Sequence, residues 1–341
     1  MSRPELTIVK PFIPTEEWHV DEAIDENTQH VIAEMNAIAP KQLFEDLKKE
    51  VKESPNGTRY AIMRGDNPNE YSETDALVMF NPFANTATPN MLVRAEFVRR
   101  VAEKEDITDH EGKLKPVIML ASPGINGSHL NLTAAERQSL RQGELGPSAE
   151  KMLKVVEAEE FGQVALLGYS LGADMVLAGA RNAYPANLDL DSIAVGDPVG
   201  VEDRTRAKLI TDFMKAPDLK GSVSRTGLDA QEKALNTKDL ITFGLSAVGN
   251  SANRAYQSGM SKDTFEERAG QIIEENMYRK FIVGYGSDSL IAKPDSIEPA
   301  LDNLSMGAFH NDFISVKING GNHTWGDQLP LLAKLYMRAA I

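Results

Sequence analysis

Short apolar runs alternate with amphipathic segments along much of the chain. The runs suit strands buried on both faces, and they lie at Ala76–Phe80, Pro116–Ala121, Val164–Leu167, Ser192–Val195, Lys280–Gly284 and Asp312–Ile318. Helical periodicity appears between them, at Met91–Val101, Ser148–Glu159 and Gln328–Ala340. This alternation predicts an α/β fold in which helices cover both faces of a mostly parallel central sheet.

Two regions depart from the alternation. Residues 1–58 form an N-terminal extension with a predicted first strand at about 5–12 and a helical pattern that ends near Val51, ahead of a strand at 59–64. Residues 200–279 show only helical patterns, such as Ala207–Lys215 and Thr264–Tyr278. We therefore expect a core made of 1–199 and 280–341, with 200–279 as a helical insertion. Its apolar centre, Leu240–Gly249, faces either a ligand cavity or neighbouring helices.

Composition narrows the classes of function. The 341 residues include 36 Lys and Arg against 50 Asp and Glu, a formal net charge of -14 that repels phosphate backbones and anionic membranes. The chain has no cysteine, which rules out disulfides, thiolate metal sites and cysteine nucleophiles. It has neither a signal-peptide pattern nor an apolar stretch of about 18 residues. We expect a cytoplasmic protein without a membrane span or a nucleic-acid partner.

A serine stands where a predicted strand meets a predicted helix. Gly168-Tyr169-Ser170-Leu171-Gly172 has the G-x-S-x-G spacing of a nucleophile elbow, in which glycines on both sides let the helix pass close to the strand. A serine hydroxyl is a weak nucleophile near neutral pH and needs a base and a group that orients the base. Ser170 is therefore the candidate nucleophile, although the glycines also suit tight strand-to-helix packing alone.

Histidine is the expected base, and the chain has six: His19, His30, His110, His129, His310 and His323. His323 lies in a glycine-rich loop between the last predicted strand and the last helix. Open α/β sheets build their sites at the carboxyl ends of strands, and His323 occupies such an end. The others lie in charged or polar segments, or precede a strand, and are more typical of structural positions.

The orienting carboxylate is expected at another strand end. Asp288 follows the strand Lys280–Gly284 and is our preferred acid. Asp197 follows Ser192–Val195 and is the alternative, because an aspartate before a proline also suits a turn. Asp295 is the third choice.

The order Ser170, Asp288, His323 resembles that of the α/β-hydrolase superfamily of serine hydrolases, over roughly residues 60–341. The resemblance implies that residues 200–279 are a helical cap. The segment Ser122–Ser128 is loosely similar to a loop that some of these enzymes carry. Where many of them have His-Gly, this chain has Asn81-Pro82-Phe83. Proline has no N–H, so we expect the oxyanion donors to be the backbone N–H groups of Phe83 and Leu171, with Ala84 or the Asn81 or Asn85 side chain as alternatives.

We therefore expect a serine hydrolase that cleaves a partly apolar carboxylic ester through an acyl-enzyme on Ser170. The same triad would serve an amidase or peptidase, a thioesterase or an acyltransferase, and a non-catalytic ligand-binding member of the fold is the remaining alternative. The sequence lacks a complete dinucleotide fingerprint, a Walker motif and metal-ligand spacing, so neither a cofactor nor a metal is expected.

Overall fold

The computed structural model describes residues 15–22, 24–82, 88–125, 132–183, 186–215, 227–230, 251–275, 277–307 and 312–341. Within these residues the strands form one nine-stranded sheet in the order β1-β9-β8-β7-β6-β4-β5-β3-β2. The strands are β1 (Thr15–His19), β2 (Val51–Glu53), β3 (Arg59–Met63), β4 (Asp75–Phe80), β5 (Val117–Leu120), β6 (Gln163–Tyr169), β7 (Asp189–Gly196), β8 (Lys280–Gly286) and β9 (Asp312–Asn319).

Most of the sheet is parallel. The pairs β2 with β3 and β3 with β5 are antiparallel, and the other neighbouring strands pair in parallel. Every residue of β4, β5 and β8 is buried, as expected for strands covered on both faces. The predicted mostly parallel sheet is confirmed, and its strand ends align the loops that carry the candidate residues.

Helices lie on both faces of the sheet. Those with described bounds are α1 (Glu26–Asn36), α2 (Pro40–Leu47), α3 (Thr88–Lys104), α4 (Ala134–Arg141), α5 (Gly146–Ala158), α6 (Leu171–Ala183), α7 (Arg206–Lys215), α8 (Ser251–Met260), α9 (Phe265–Glu274), α10 (Pro294–Ser305) and α11 (Leu329–Ala340). Strand alternation divides the core between them. In β4, Val78 and Phe80 pack in the cluster that contains α5 and α6, whereas Leu77 and Met79 pack in the cluster that contains α3 and α11.

The expected helical insertion lies between β7 and β8. In the described parts of residues 200–279, the regular structure consists of helices, with α7, α8 and α9 as its long elements. Phe265 and Ile272 of α9 are fully buried in the same apolar cluster as α6. The division into a core and a separate insertion stays a prediction, and Leu240–Gly249 lies outside the described residues.

The N-terminal extension packs on the core. Val31 and Met35 of α1 are fully buried in the cluster that contains α3 and α11. The Asn36 side chain also joins α1 to the insertion, because its Oδ1 accepts the Asp229 N–H at 3.0 Å and its Nδ2 donates to the Gly227 carbonyl. The predicted strand at 5–12 lies outside the described residues.

The edge strand β1 was not predicted from the sequence. It pairs in parallel with β9, but of its five residues only Trp18 is buried. Among the described strands β1 is the outermost on its side of the sheet, and its other side chains are exposed or half-buried, so it shows no continuous apolar run and the pattern that identified the inner strands does not identify it.

Candidate active site

Ser170 lies at a sharp turn between β6 and α6. Its backbone φ is 57°, a left-handed conformation that is strained for a residue other than glycine. Both glycines of the motif are required by close contacts: a Cβ on Gly168 would lie 2.2 Å from the Gly172 carbonyl oxygen, and one on Gly172 would lie 2.1 Å from the Phe80 carbonyl oxygen. The predicted elbow is therefore formed, and it holds Ser170 at the carboxyl edge of the sheet.

His323 follows β9 and meets the serine. Its Nε2 lies 3.0 Å from Ser170 Oγ, within hydrogen-bond distance, and the residue is buried. Two aromatic rings hold the imidazole in place. Tyr169 stacks on it with ring centroids 5.7 Å apart, and Phe213 of α7 makes an edge contact at 4.9 Å. The sequence identified the histidine but not these two rings.

The carboxylate beside His323 is that of Asp197, which the sequence analysis ranked second. Asp197 Oδ2 is hydrogen-bonded to His323 Nδ1. Asp197 follows β7 directly and has a φ of 46°, which aspartate tolerates better than most residues. Its side chain is fully buried. With the Nδ1 proton donated to this carboxylate, Nε2 is left as the acceptor for the serine hydroxyl.

The preference for Asp288 is corrected by the structure. Asp288 is exposed, and its Oδ1 accepts a hydrogen bond from Ser287 Oγ at 2.9 Å. It approaches the histidine loop through its backbone, since its N–H donates to the Gly321 carbonyl at 2.8 Å. Asp295, the third choice, is exposed in the first turn of α10. Both carboxylates are therefore directed to solvent rather than to the imidazole.

Three further donors surround the Asp197 carboxylate. Oδ1 accepts the Gly286 N–H at 3.0 Å and the Trp325 Nε1–H at 3.4 Å. Oδ2 accepts the Ser289 hydroxyl at 2.7 Å in addition to the imidazole. These contacts stabilise a negative charge that lies out of reach of water. Sequence reasoning missed Ser289 and Trp325, although they lie in the loops of Asp288 and His323.

The candidate oxyanion donors are described in part. Leu171 is the first residue of α6, where backbone N–H groups have no partner within the helix. Phe83, Ala84 and Asn85 lie outside the described residues. The Asn81 side chain donates to the Leu120 carbonyl at 2.9 Å, so one of its amide protons is used within the sheet. Of the two predicted donors, the described residues therefore include only Leu171, and its assignment as a donor stays a prediction.

A second buried carboxylate lies one helical turn beyond the serine. Asp174 Oδ2 accepts the Val199 N–H at 3.2 Å, and Oδ1 accepts the Gly200 N–H at 3.3 Å. Burial raises the pKa of the Asp174 carboxyl to about 6, against the opposing effects of the Arg268 charge and these two N–H groups. Asp174 therefore links the helix that begins at the nucleophile to the chain that leaves Asp197.

A buried ion pair holds the far end of the histidine loop. Arg94 of α3 pairs with Asp327, and its Nη1 also donates to the Gly326 carbonyl at 3.3 Å. The Arg94 side chain is 3% exposed. Because a guanidinium this deeply buried needs an anionic partner, the pair attaches the loop to α3.

No protein-family profile and no curated protein matches the sequence. Solved structures resemble it: E-2-(acetamidomethylene)succinate hydrolase has a TM-score of 0.50 and 14% identity, over 85% of this chain and 98% of that one. A hydrolase from Pseudomonas aeruginosa has a TM-score of 0.48 and 13% identity, over 84% and 96%. A thermophilic esterase from Thermogutta terrifontis has 0.47 and 16%, over 85% and 95%. At 14% identity, the likeness to the first of these structures shows the fold alone.

Proposed function

Because the chain has the α/β-hydrolase fold, as the sequence predicted, we propose that it is a serine hydrolase that cleaves a carboxylic ester through an acyl-enzyme on Ser170. One observation carries the proposal: Ser170 Oγ lies 3.0 Å from His323 Nε2, and Asp197 contacts the other nitrogen of the same imidazole. Nucleophile, base and orienting acid thus form one hydrogen-bonded chain.

The reaction follows from this chain of groups. His323 Nε2 takes the hydroxyl proton as Ser170 Oγ bonds to the ester carbon, and the carbonyl oxygen becomes an oxyanion. The oxyanion collapses, the bond to the alkoxy group breaks, and His323 returns the proton to that group. A water molecule then attacks the acyl-enzyme in the same way: His323 takes its proton, the bond from the acyl carbon to Ser170 Oγ breaks as His323 returns the proton to Oγ, and the carboxylic acid product is released. Asp197 stays ionised and stabilises the imidazolium in both halves.

The oxyanion needs donors aimed at it before it forms. We assign the Leu171 N–H as one donor, since it is next to the nucleophile at the start of α6. The second donor is expected from the segment after β4, with the Phe83 N–H as the candidate.

Phe213 supports an apolar group in the substrate. It belongs to α7, and its ring lies against the imidazole with centroids 4.9 Å apart. An apolar ring beside the base excludes water and favours an apolar acyl or alcohol group. We propose that residues 200–279 act as a helical cap on a core of 1–199 and 280–341, and that the substrate is a small, partly apolar ester.

Covalent labelling with a fluorophosphonate tests the nucleophile. The purified chain is expected to gain one adduct, located on Ser170 by peptide mapping, and the Ser170→Ala chain none. Ester turnover by that variant is expected to fall on the order of 10⁶-fold. A folded wild-type chain that gains no adduct, or a Ser170→Ala chain with full activity, would refute the proposal.

A panel of matched substrates tests the reaction class. The panel uses one series of short and medium acyl groups, each presented as a p-nitrophenyl ester, as the corresponding thioester and as the corresponding anilide. The proposal expects the esters to have the highest kcat/KM. A higher kcat/KM for the anilides or the thioesters would assign the labelled serine to an amidase or a thioesterase instead.

A further inference from the structure

Ser289 occupies a fixed position between the loop after β8 and the Asp197 carboxylate. Its hydroxyl is 2.7 Å from Asp197 Oδ2, the same oxygen that contacts His323 Nδ1. The residue is 3% exposed. The hydroxyl thus contacts the oxygen on which the orientation of the imidazole depends.

The direction of the Ser289 hydroxyl proton follows from its other contacts. Its Oγ accepts the Ile291 N–H at 3.2 Å and the Ala292 N–H at 3.0 Å. A hydroxyl has two lone pairs and one proton, and the two N–H groups occupy both lone pairs. The single proton is therefore left for Asp197 Oδ2. Two backbone donors hold Ser289 as a permanent donor to the carboxylate.

We propose that Ser289 is a positioning residue for the triad, which it serves by fixing the rotation of the Asp197 carboxylate. The proposal rests on the proposed function. The terminal torsion of aspartate has a broad energy minimum, so a carboxylate needs several donors to hold one orientation. The Gly286 and Trp325 donors hold Oδ1, and Ser289 holds Oδ2 in line with His323 Nδ1.

The same loop gives a matched control. Ser287 Oγ donates to Asp288 Oδ1 at 2.9 Å and accepts the Gly320 N–H at 2.9 Å. Ser287, two residues from Ser289, is thus also a hydroxyl that donates to a carboxylate and accepts a backbone N–H, but it is half-buried and these hydrogen bonds do not involve Asp197. A loss specific to the Ser289 variants therefore separates carboxylate positioning from general weakening of the loop.

The test measures kcat and KM per fluorophosphonate-titrated site for Ser289→Ala, Ser289→Thr and Ser287→Ala. We expect Ser289→Ala to lower kcat about 10- to 100-fold with KM within about twofold, because a misplaced base slows the chemical step rather than binding. Ser289→Thr keeps the hydroxyl and is expected to restore most of kcat. Ser287→Ala is expected to keep wild-type kcat.

A double-mutant cycle identifies the group through which Ser289 acts. In an Asp197→Asn background, Ser289→Ala is expected to change kcat less than about twofold, because the carboxylate that it positions is gone. If Ser289→Ala does not fold, Ser289→Cys replaces it, since a thiol of similar shape is a weak donor. The cysteine variant is then expected to show the loss in kcat that threonine restores.

Each result decides the proposal. A Ser289→Ala chain with fewer titrated sites but wild-type kcat per site, or an equal loss in both backgrounds, would show a purely structural role and overturn it. A wild-type chain that is not labelled by the fluorophosphonate and does not turn over esters would refute the proposed function. An active wild-type chain whose Ser289→Ala variant keeps its kcat would refute only the role of Ser289, so the two failures are distinguishable.

Discussion

Replacing Asp174 with asparagine tests how a buried carboxylate affects the stability of the site. The folded chain ionises this group at about pH 6, against an ordinary value of 3.8, because burial outweighs the attraction of Arg268 and the two backbone donors. Between these values the unfolded chain loses the proton while the folded chain keeps it. The free energy of unfolding therefore falls as pH rises through this window.

The magnitude follows from the difference of about two pKa units. At about 1.4 kcal/mol per unit, ionised Asp174 destabilises the folded chain by ~3 kcal/mol relative to its protonated form. About 2 kcal/mol of this develops between pH 4.5 and pH 7.5. The asparagine variant lacks the effect, although it loses one backbone hydrogen bond worth about 1 kcal/mol at every pH.

Urea unfolding of both chains at pH 4.5 and pH 7.5 measures the effect. Relative to wild type, Asp174→Asn is expected to gain about 2 kcal/mol between the lower and the higher pH, with unchanged m-values. Titration of other groups cancels in this comparison, because both chains share them. A difference that stays constant, or grows in favour of wild type as pH rises, would mean that Arg268 and the backbone donors stabilise the ionised carboxylate after all.

Further substitutions test the acid, the elbow and the histidine loop. Asp197→Asn is expected to lower kcat about 10⁴-fold and Asp288→Asn less than about twofold in the same ester assay; a larger loss for Asp288→Asn would restore the original assignment. Gly172→Ala is expected to prevent folding or to lower the free energy of unfolding in urea by several kcal/mol, because the new Cβ would lie 2.1 Å from the Phe80 carbonyl oxygen. Gly162→Ala is its control, since a Cβ on Gly162 would have nothing within 4 Å. Arg94→Met removes the guanidinium that pairs with the Asp327 carboxylate inside the protein and is expected to lower the free energy of unfolding by about 3–5 kcal/mol; a change below about 1 kcal/mol would contradict the role of the pair.

The serine was predictable because its constraints are local. Gly168 and Gly172 are required by contacts within a few residues and by the neighbouring strand β4, and a glycine pattern records such contacts in the sequence. His323 was predictable because it follows the last strand of the chain, and the carboxyl ends of parallel strands all lie at the same edge of the sheet as Ser170. The serine thus follows from local contacts and the histidine from strand order, and neither prediction depends on the packing of side chains around the site.

The acid was not predictable, because both candidates satisfy strand order. The strands β7 and β8 are neighbours, and Gly196 pairs with Gly284, so Asp197 and Asp288 leave the same edge of the sheet. The choice depends on the left-handed turn at Asp197, which directs its carboxylate inward, and on the loop after β8, which presents the Asp288 backbone to the histidine loop. Neither conformation leaves a sequence pattern.

Placing the acid after β7 couples it to the helical insertion, which begins in the same connection. Asp197 orients His323, and two residues later Val199 and Gly200 donate to Asp174 of the helix that starts at the nucleophile. Buried hydrogen bonds therefore join the helix that follows Ser170, the Asp197 turn and the start of the insertion. Phe213 of α7, in the same connection between β7 and β8, contacts the imidazole that Asp197 orients, so this connection supplies both the carboxylate and an aromatic contact of His323. The loop after β8 is also joined to the start of the insertion, because the Arg204 guanidinium donates to the Leu290 carbonyl at 3.3 Å and the Ile291 carbonyl at 2.7 Å, but these bonds do not involve the Asp288 carboxylate.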